Sequence, residues 1–318
     1  MTKYKNMAIY GGGSWGTALA CQVARCYNSV NILLRDNDIL YEIENTRTNK
    51  KYLGDDIKLP SNIFPSNQVS AILEKEVIIL AVPSHAFDNS LNILKEARIS
   101  PNIVLLVATK GFSKNPTELL SDKVKSILPH NPLAFIAGPN LAKEVARNLP
   151  TSVTIASENI AVARKLAVSL ISEQFKVTIT DHFVALQVAS AVKNIIAIKS
   201  GLYEARNYGH NAKATLITTA LQEIKILSEA IDGDLGDNSI LYAPGILGDL
   251  ILTCYSKESR NTRFGYELGH HLDPEKFLKE NSYLVEGREA AKLVLDFIKK
   301  YNLILPIITS VAQELKLI

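Results

Sequence analysis

A lysine embedded in an apolar run is the first residue here whose placement asks for a chemical reason. Lys193 lies in Gln187-Val188-Ala189-Ser190-Ala191-Val192-Lys193-Asn194-Ile195-Ile196-Ala197. On a helix, its neighbours three and four positions away are Ser190, Ala189, Ile196 and Ala197, and none offers a counter-charge. Such a lysine either snorkels at a helix edge or is placed for proton transfer. Low-dielectric surroundings and nearby cations lower a lysine pKa towards neutrality, where it can give and take a proton. Lys110, in Ala108-Thr109-Lys110-Gly111, follows an apolar run. It is either an exposed loop lysine or a cation that holds a substrate oxygen or phosphate. Asp249 stands between Gly248 and an apolar stretch, as a helix cap or as a site carboxylate. Ser259-Arg260-Asn261 reads as an ordinary polar loop or as a phosphate grip, since arginine meets phosphate with two parallel N–H donors.

A second constellation lies near the N-terminus. Gly11, Gly13 and Gly16 form G-x-G-x-x-G in Gly11-Gly12-Gly13-Ser14-Trp15-Gly16. The run follows an apolar segment, Met7–Tyr10, and opens a helical one, Thr17–Ala24. The three glycines suit a tight turn, a close approach to a pyrophosphate, and close packing of helix on strand. The helix N-terminus then presents N–H groups and a positive dipole end to the phosphates. About twenty residues on, where an acid would meet a ribose 2′-hydroxyl, stands Arg35, followed by Asp36. Arginine there pairs with a 2′-phosphate, so NADPH is the expected cofactor, with NADH left open through Asp36. Ser84, after Ala81-Val82-Pro83, is expected to cap a helix.

These residues need elements to hold them. Short apolar, β-branched runs occur at Met7–Tyr10, Val30–Leu34, Val77–Val82, Ile103–Ala108 and Leu133–Ala137, separated by helical spacing. This alternation predicts an α/β fold with an N-terminal doubly wound, Rossmann-type parallel sheet. Ser152–Ala156 and Lys176–Thr180, around a helix at Ile160–Ser172, are expected to extend it. Beyond Asp181 only helical patterns follow, at about 183–206, 212–231, 248–255, 263–270, 287–301 and 307–317. A dinucleotide-binding domain is therefore expected over 1–181 and an all-helical substrate domain over 182–318, with ligands in the cleft between them.

Bulk properties exclude several classes. The 318 residues are 47% hydrophobic and 21% charged, ordinary for a globular chain of about two domains. A formal net charge of +3, without a basic block, is not the footprint of a nucleic-acid binder. Cys21, Cys26 and Cys254 form no CxxC pair and no Cys/His cluster, so neither disulfides nor a metal site are expected. Reduced thiols fit the cytoplasm. No signal peptide and no membrane-spanning run are expected.

The segments GGGSWG, AVPSH, ATKG, AGPNLAKE, AVKNIIAI, ILGDLILTC, SRN and VEG, in this order and spacing, resemble bacterial NAD(P)-dependent glycerol-3-phosphate dehydrogenase over about residues 7–312. The resemblance implies a Rossmann domain followed by a helical domain in a homodimer. It also implies interconversion of dihydroxyacetone phosphate and sn-glycerol 3-phosphate for glycerophospholipid synthesis. By the same resemblance Lys193 transfers the proton, Lys110 touches substrate and cofactor, and Asn194 helps hold the oxygen. Gly138, Asn140, Asp249, Ser259, Arg260 and Asn261 join the substrate set. Ser14, Trp15, Arg35, Ala142, Arg260, Leu284 and Glu286 join the cofactor set. Three places depart from the family pattern: Asn140 for Ser or Thr, Ile246 for Gly, and Thr219-Ala220 for Arg-Gly. A related lysine-dependent hydroxy-acid dehydrogenase and a nicotinamide-sensing regulator are the alternatives. A pure sensor has no use for Lys110, Lys193 and Asp249 together.

Overall fold

The computed structural model describes residues 2–256, 258–280 and 285–318. They form two compact units. One comprises Met1–Thr109 and Ser121–Phe183, the other Lys110–Leu120 and Val184–Ile318.

The first unit is built on one sheet of eight strands: β1 (Met7–Tyr10), β2 (Val30–Leu33), β3 (Ile63–Ser66), β4 (Val77–Leu80), β5 (Val104–Val107), β6 (Leu133–Ala137), β7 (Thr151–Ala156) and β8 (Phe175–Thr180). Their order is β3-β2-β1-β4-β5-β6-β7-β8. Its helices are α1 (Ser14–Cys26), α2 (Asn37–Thr46), α3 (Lys50–Leu53), α4 (Ser84–Glu96), α5 (Leu120–Ile127), α6 (Ala142–Ala146) and α7 (Ile160–Leu170). The central strands β1, β4 and β5 are buried along their whole length, which is why they read as unbroken apolar runs. Ile9, Ile32, Ile79, Leu106, Ile136 and Ile155 meet Leu19 and Phe175 in one core cluster.

Three local expectations are corrected. Strand β3 was not anticipated, because Pro65 argues against a central strand; β3 is an edge strand, where a missing N–H costs nothing. Strands β7 and β8 do extend the sheet, but β7 runs antiparallel to β6, so the sheet is mostly rather than wholly parallel. Ser84 does not cap α4: Pro83 holds the cap position, and Ser84 is already in the first turn, with no side-chain cap bond.

The second unit is helical: α8 (Phe183–Ala205), α9 (Gly209–Asp232), α10 (Asp249–Tyr255), α11 (Arg260–His270), α12 (Pro274–Glu280), α13 (Glu286–Tyr301) and α14 (Pro306–Glu314). Helix α12 was not expected; it is seven residues long and too charged to show an apolar face. Among the described residues, α8 alone is long and apolar enough to cross a membrane, with mean hydropathy 1.3. No such run was expected. That window is 94% buried, so α8 reads as the core helix of its unit.

Glycines let α8 be approached backbone to backbone. A Cβ on Gly265 would lie 2.0 Å from the Ile198 carbonyl oxygen, one on Gly201 would lie 2.0 Å from that of Thr262, and one on Gly287 would lie 2.4 Å from that of Asn194. The starts of α11 and α13 are thereby drawn against the segment of α8 that carries Lys193 and Asn194. Helix α14 is fixed differently. The buried Glu223 carboxylate accepts the N–H groups of Ile307 (2.5 Å) and Ile308 (3.0 Å), two donors its first turn leaves unpaired. Arg206 grips Glu314 near its other end at 2.7 and 2.8 Å.

Gly265→Ala forces a methyl group into the Ile198 backbone, so we expect a loss of about 3 kcal/mol and a lower melting temperature. A melting curve identical to that of the wild type would show that α8 and α11 have room to part.

Candidate active site

Lys193 is 3% exposed and Asp249 2%. The Lys193 ammonium pairs with Asp249 Oδ1. Asp249 opens α10 directly after a π-helical turn over Pro244–Gly248. Such turns interrupt regular helix at functional places, and the N-terminal end of α10 favours a negative charge. Asp249 is therefore not a cap, since its carboxylate is turned to Lys193. Its other oxygen, Oδ2, is buried without a hydrogen-bond partner, and Lys110 Nζ stands 3.9 Å from it. One carboxylate thus faces two ammonium groups.

The surroundings push the two lysines apart in acidity. Burial drives Lys193 down strongly; Asp249 raises it, and Lys110 lowers it again, leaving it at about 7. Burial also opposes the charge on Lys110, yet Asp249, Lys193 and Glu286 together hold it above its ordinary value. Lys110 is therefore the standing cation, and Lys193 is the group that exchanges a proton near neutrality. Such separation of two like groups assigns an acid–base role.

Around this centre lies a chain of amides. Asn194 follows Lys193 on α8, and its Oδ1 accepts from Asn261 Nδ2 at 3.0 Å. Asn261 Oδ1 accepts the Gly287 N–H at 2.9 Å. Asn194 Nδ2 donates to Glu286 Oε2 at 3.3 Å, and Glu286 Oε1 pairs with Arg260 Nη2 at 3.0 Å. Ser259 caps α11, its Oγ accepting the Thr262 N–H at 3.2 Å. Of the three residues of the Ser259-Arg260-Asn261 run, only Arg260 keeps a largely exposed side chain, at 61%. It stands in the first turn of α11, where the helix end also favours an anion.

In the first unit the glycine loop has the expected shape. Gly11 has φ +128°, and a Cβ there would lie 2.4 Å from the Ala81 carbonyl oxygen. A Cβ on Gly16 would meet the Gly11 carbonyl oxygen at 2.0 Å, whereas one on Gly13 meets nothing within 4 Å. Helix α1 starts there with no side-chain cap and no acid in its first turn. The space over Gly13 and the open helix end suit a pyrophosphate. Arg35 is exposed at the end of β2. Asp36 is occupied: its Oδ1 caps α2 through Asp38 and Ile39, and its Oδ2 pairs with Lys51 at 3.1 Å.

The comparisons with known proteins bear on the same halves. The family described as NAD-dependent glycerol-3-phosphate dehydrogenase matches through its N-terminal part over residues 6–163 and through its C-terminal part over residues 182–316. The chain belongs to the NAD-dependent glycerol-3-phosphate dehydrogenase family. It is 55% identical to the glycerol-3-phosphate dehydrogenase (NAD(P)+) of Rickettsia massiliae over 98% of this chain and 94% of that one. Against the Rickettsia bellii enzyme of the same name, identity is 52%, over 99% and 100% of the two chains. The crystal structure of the Coxiella burnetii glycerol-3-phosphate dehydrogenase superposes with a TM-score of 0.87 at 33% identity, covering 98% of this chain and 94% of that one.

The remaining residues that the family resemblance singles out lie in the first unit or outside the described residues. Gly138 sits at the end of β6, where a Cβ would strike the Ser152 carbonyl oxygen at 2.4 Å. Asn140 is tied to β7 through Thr151 Oγ1 (2.7 Å) and the Ser152 carbonyl (3.2 Å), with its Oδ1 buried and unpartnered. Trp15 and Ala142 pack on the core, and the Trp15 Nε1 is buried without a partner. Leu284 lies outside the described residues. Two features escaped the sequence reading. Thr253 donates to the Asp249 carbonyl at 2.6 Å and lies 3.5 Å from Asp249 Oδ1; its position four residues on in the same helix was the available signal. The contact of Glu286 with Arg260 had none, because 26 residues separate the two.

Asp249→Asn removes the anion that raises Lys193. We expect the Lys193 ammonium to titrate lower by about one unit, on the order of 1.4 kcal/mol, in an NMR titration of the lysine Nζ resonances. A Lys193 that titrates higher in this variant would contradict the assignment.

Proposed function

We propose that this chain reduces dihydroxyacetone phosphate to sn-glycerol 3-phosphate, and runs the reverse reaction, with Lys193 as the proton-transfer group. The carrying observation is the buried Lys193–Asp249 pair with Lys110 beside it, in a chain of this family. The glycine loop Gly11–Gly16 and the first turn of α1, with Ser14 and Trp15, would hold the cofactor diphosphate. The nicotinamide nucleotide, when bound, supplies or accepts the hydride. Arg35 would meet a 2′-phosphate. Because Asp36 is already engaged by α2 and Lys51, it is poorly placed to favour the 2′-hydroxyl of NADH, and NADPH is the preferred form in this reading.

In reduction the carbonyl oxygen gains negative charge as its carbon accepts hydride. Lys193 Nζ gives that oxygen a proton, and in oxidation it takes one from the hydroxyl. Lys110 stays protonated and stabilises the developing oxyanion, a contribution that is large where water is excluded. Asp249 keeps Lys193 in its charged form and directed at the substrate, and Asn194 fixes the same stretch of α8. Arg260, at the N-terminal end of α11, binds the phosphate; Asn261 and Ser259 hold that end in shape. By the family resemblance Gly138 and Asn140 would contact the substrate, and Ala142, Leu284 and Glu286 the cofactor.

The product serves glycerophospholipid synthesis. We also infer a homodimer, on the motif resemblance, working in the cytoplasm, where the free thiols Cys21, Cys26 and Cys254 stay reduced.

Lys193→Ala is expected to cut turnover of dihydroxyacetone phosphate with NADPH by roughly a thousandfold, within the range for a lost general acid. In the wild type, reduction requires the ammonium form, so its rate should fall as pH rises through about 7, while oxidation should gain over the same window. Near-normal turnover of the variant would remove Lys193 from the mechanism. Arg260→Ala should raise KM for dihydroxyacetone phosphate by roughly 10- to 100-fold, the worth of a hydrogen-bonded charge, and leave unphosphorylated dihydroxyacetone little affected. Equal effects on both ketones would place the phosphate elsewhere.

A further inference from the structure

Lys110 has a loose hold on the site. Its one ion pair among the described residues spans 3.9 Å, and its side chain is 29% exposed. Lysine carries its ammonium on a flexible stem of four carbons, so where that ammonium can reach depends on how the backbone beneath it is held. Gly111, at φ +105°, turns the chain immediately after Lys110, and Phe112 follows. Phe112 is 4% exposed, and its ring lies 5.3 Å from that of Phe297 on α13, which is itself stacked on Tyr301 at 6.4 Å. The rest of the Lys110–Leu120 segment closes on itself: the Ser113 N–H donates to the Glu118 carbonyl at 3.2 Å, the Ser113 hydroxyl donates to the Glu118 carboxylate, and Leu119 and Leu120 are buried. Lys300, one turn beyond Phe297, donates to Thr117 Oγ1 at 3.4 Å. Helix α13 thus grips this segment along its length, while Glu286 at its start contacts Asn194 and Arg260.

We propose that Phe112 is a positioning residue: seated against Phe297, it holds the Lys110 ammonium beside Asp249 and Lys193. The proposal rests on the reading of Lys193 as the proton-transfer group. Phe112 touches no reacting atom and acts through Lys110. Lys193 is faced by Asp249 and by the Cys254 thiol from α10 and by Lys110 from the 110–120 segment; Glu286 on α13 faces Lys110. Burial keeps Cys254 protonated, its thiol pushed up to about 12, and among the described residues Lys110 is the cation that lowers Lys193. When Lys110 swings out, the repulsion that favours neutral Lys193 is lost, and the ammonium of Lys193 persists to higher pH.

The test compares the wild type with Phe112→Ala, Phe112→Leu, Lys110→Ala and the double variant Phe112→Ala/Lys110→Ala. The readouts are pH profiles of kcat/KM for dihydroxyacetone phosphate with NADPH, and NMR titration of Lys193 Nζ. Phe112→Ala should move the descending limb upward by about one pH unit. It should also raise KM about tenfold, as expected for a displaced binding group. Phe112→Leu, which keeps the apolar anchor, should restore most of both. Lys110→Ala should give the same shift, and the double variant no further one, because the two changes remove a single interaction. A Phe112→Ala enzyme whose limb and Lys193 titration stay at the wild-type position, with rate falling only as the folded fraction falls, would overturn the proposal. Additive shifts in the double variant would do the same. Wild-type turnover in the same assay reports separately on the reaction, and the NMR titration reads Lys193 whether or not this ketone is the substrate.

Discussion

Two ammonium groups share one buried carboxylate, and α8, α10 and the 110–120 segment meet at that imbalance. Taking an ion from water into a protein interior costs several kcal/mol even after relaxation, and apolar residues of equal volume serve stability as well or better. The Lys193–Asp249 pair is therefore no explanation of why the unit folds. With Lys110 beside it, the pair gives a surplus of positive charge around a buried carboxylate, Lys193 being shielded from solvent and Lys110 partly open to it. A substrate whose oxygen becomes negative in the transition state relieves that surplus, which is how a fixed site stabilises a transition state more than a ground state. The proton affinity of Lys193 is set first by burial, which lowers it, and then by the two charges, Asp249 raising it and Lys110 lowering it again.

Such a balance survives only if distances are fixed, and the fold supplies the means. Gly201, Gly265 and Gly287 bring α11 and α13 into backbone contact with α8, so the three helices share one short stretch around Lys193 and Asn194. Asn194 and Asn261 then tie the stretch together, each amide engaged on both its oxygen and its nitrogen. Buried amides satisfied on both sides are rigid and specific, whereas a half-satisfied network would be costly. Asp249 Oδ2 has no hydrogen-bond partner, nor do Ser190 Oγ on α8 and Arg288 Nε on α13, and of these three it is the one that faces a lysine ammonium.

Much of the scaffold could be read from the sequence, because the signals that form it are local. Strands β1 and β6 stand where their apolar runs begin and end, and α8 spans almost the range that its spacing predicts. The failures have identifiable causes. Pro65 hid β3, since its tolerance depends on the strand lying at an edge, which sequence does not state. The reversal at β7 changes no residue preference on the strand itself. Lys193, Lys110, Asp249 and Arg260 were legible as residues, yet local reasoning left each with an ordinary alternative: an edge lysine, a loop lysine, a cap, a polar loop. Only the contacts across 67 residues from Asn194 to Asn261, and across 92 from Asn194 to Glu286, assemble them into one place.

Two of the unit's ion pairs, Lys193–Asp249 and Arg260–Glu286, differ in how far water reaches them. The side chains of Lys193 and Asp249 are 4% and 3% exposed, so parting them would strand a buried charge. Arg260 and Glu286 are 61% and 38% exposed, and a pair so open to water is worth about 0–1 kcal/mol. An incoming phosphate carries more charge than a carboxylate and meets a guanidinium with the same two-pronged geometry. It can therefore take Arg260 from Glu286 at little cost, while Glu286 keeps its contact with Asn194. In the proposed reaction the exposed pair would stand where the phosphate comes and goes, and the buried pair where the proton is handed over. That division follows from burial, and under the proposed function it matches a proton-transfer lysine inside a helix and a phosphate-binding arginine at the start of one.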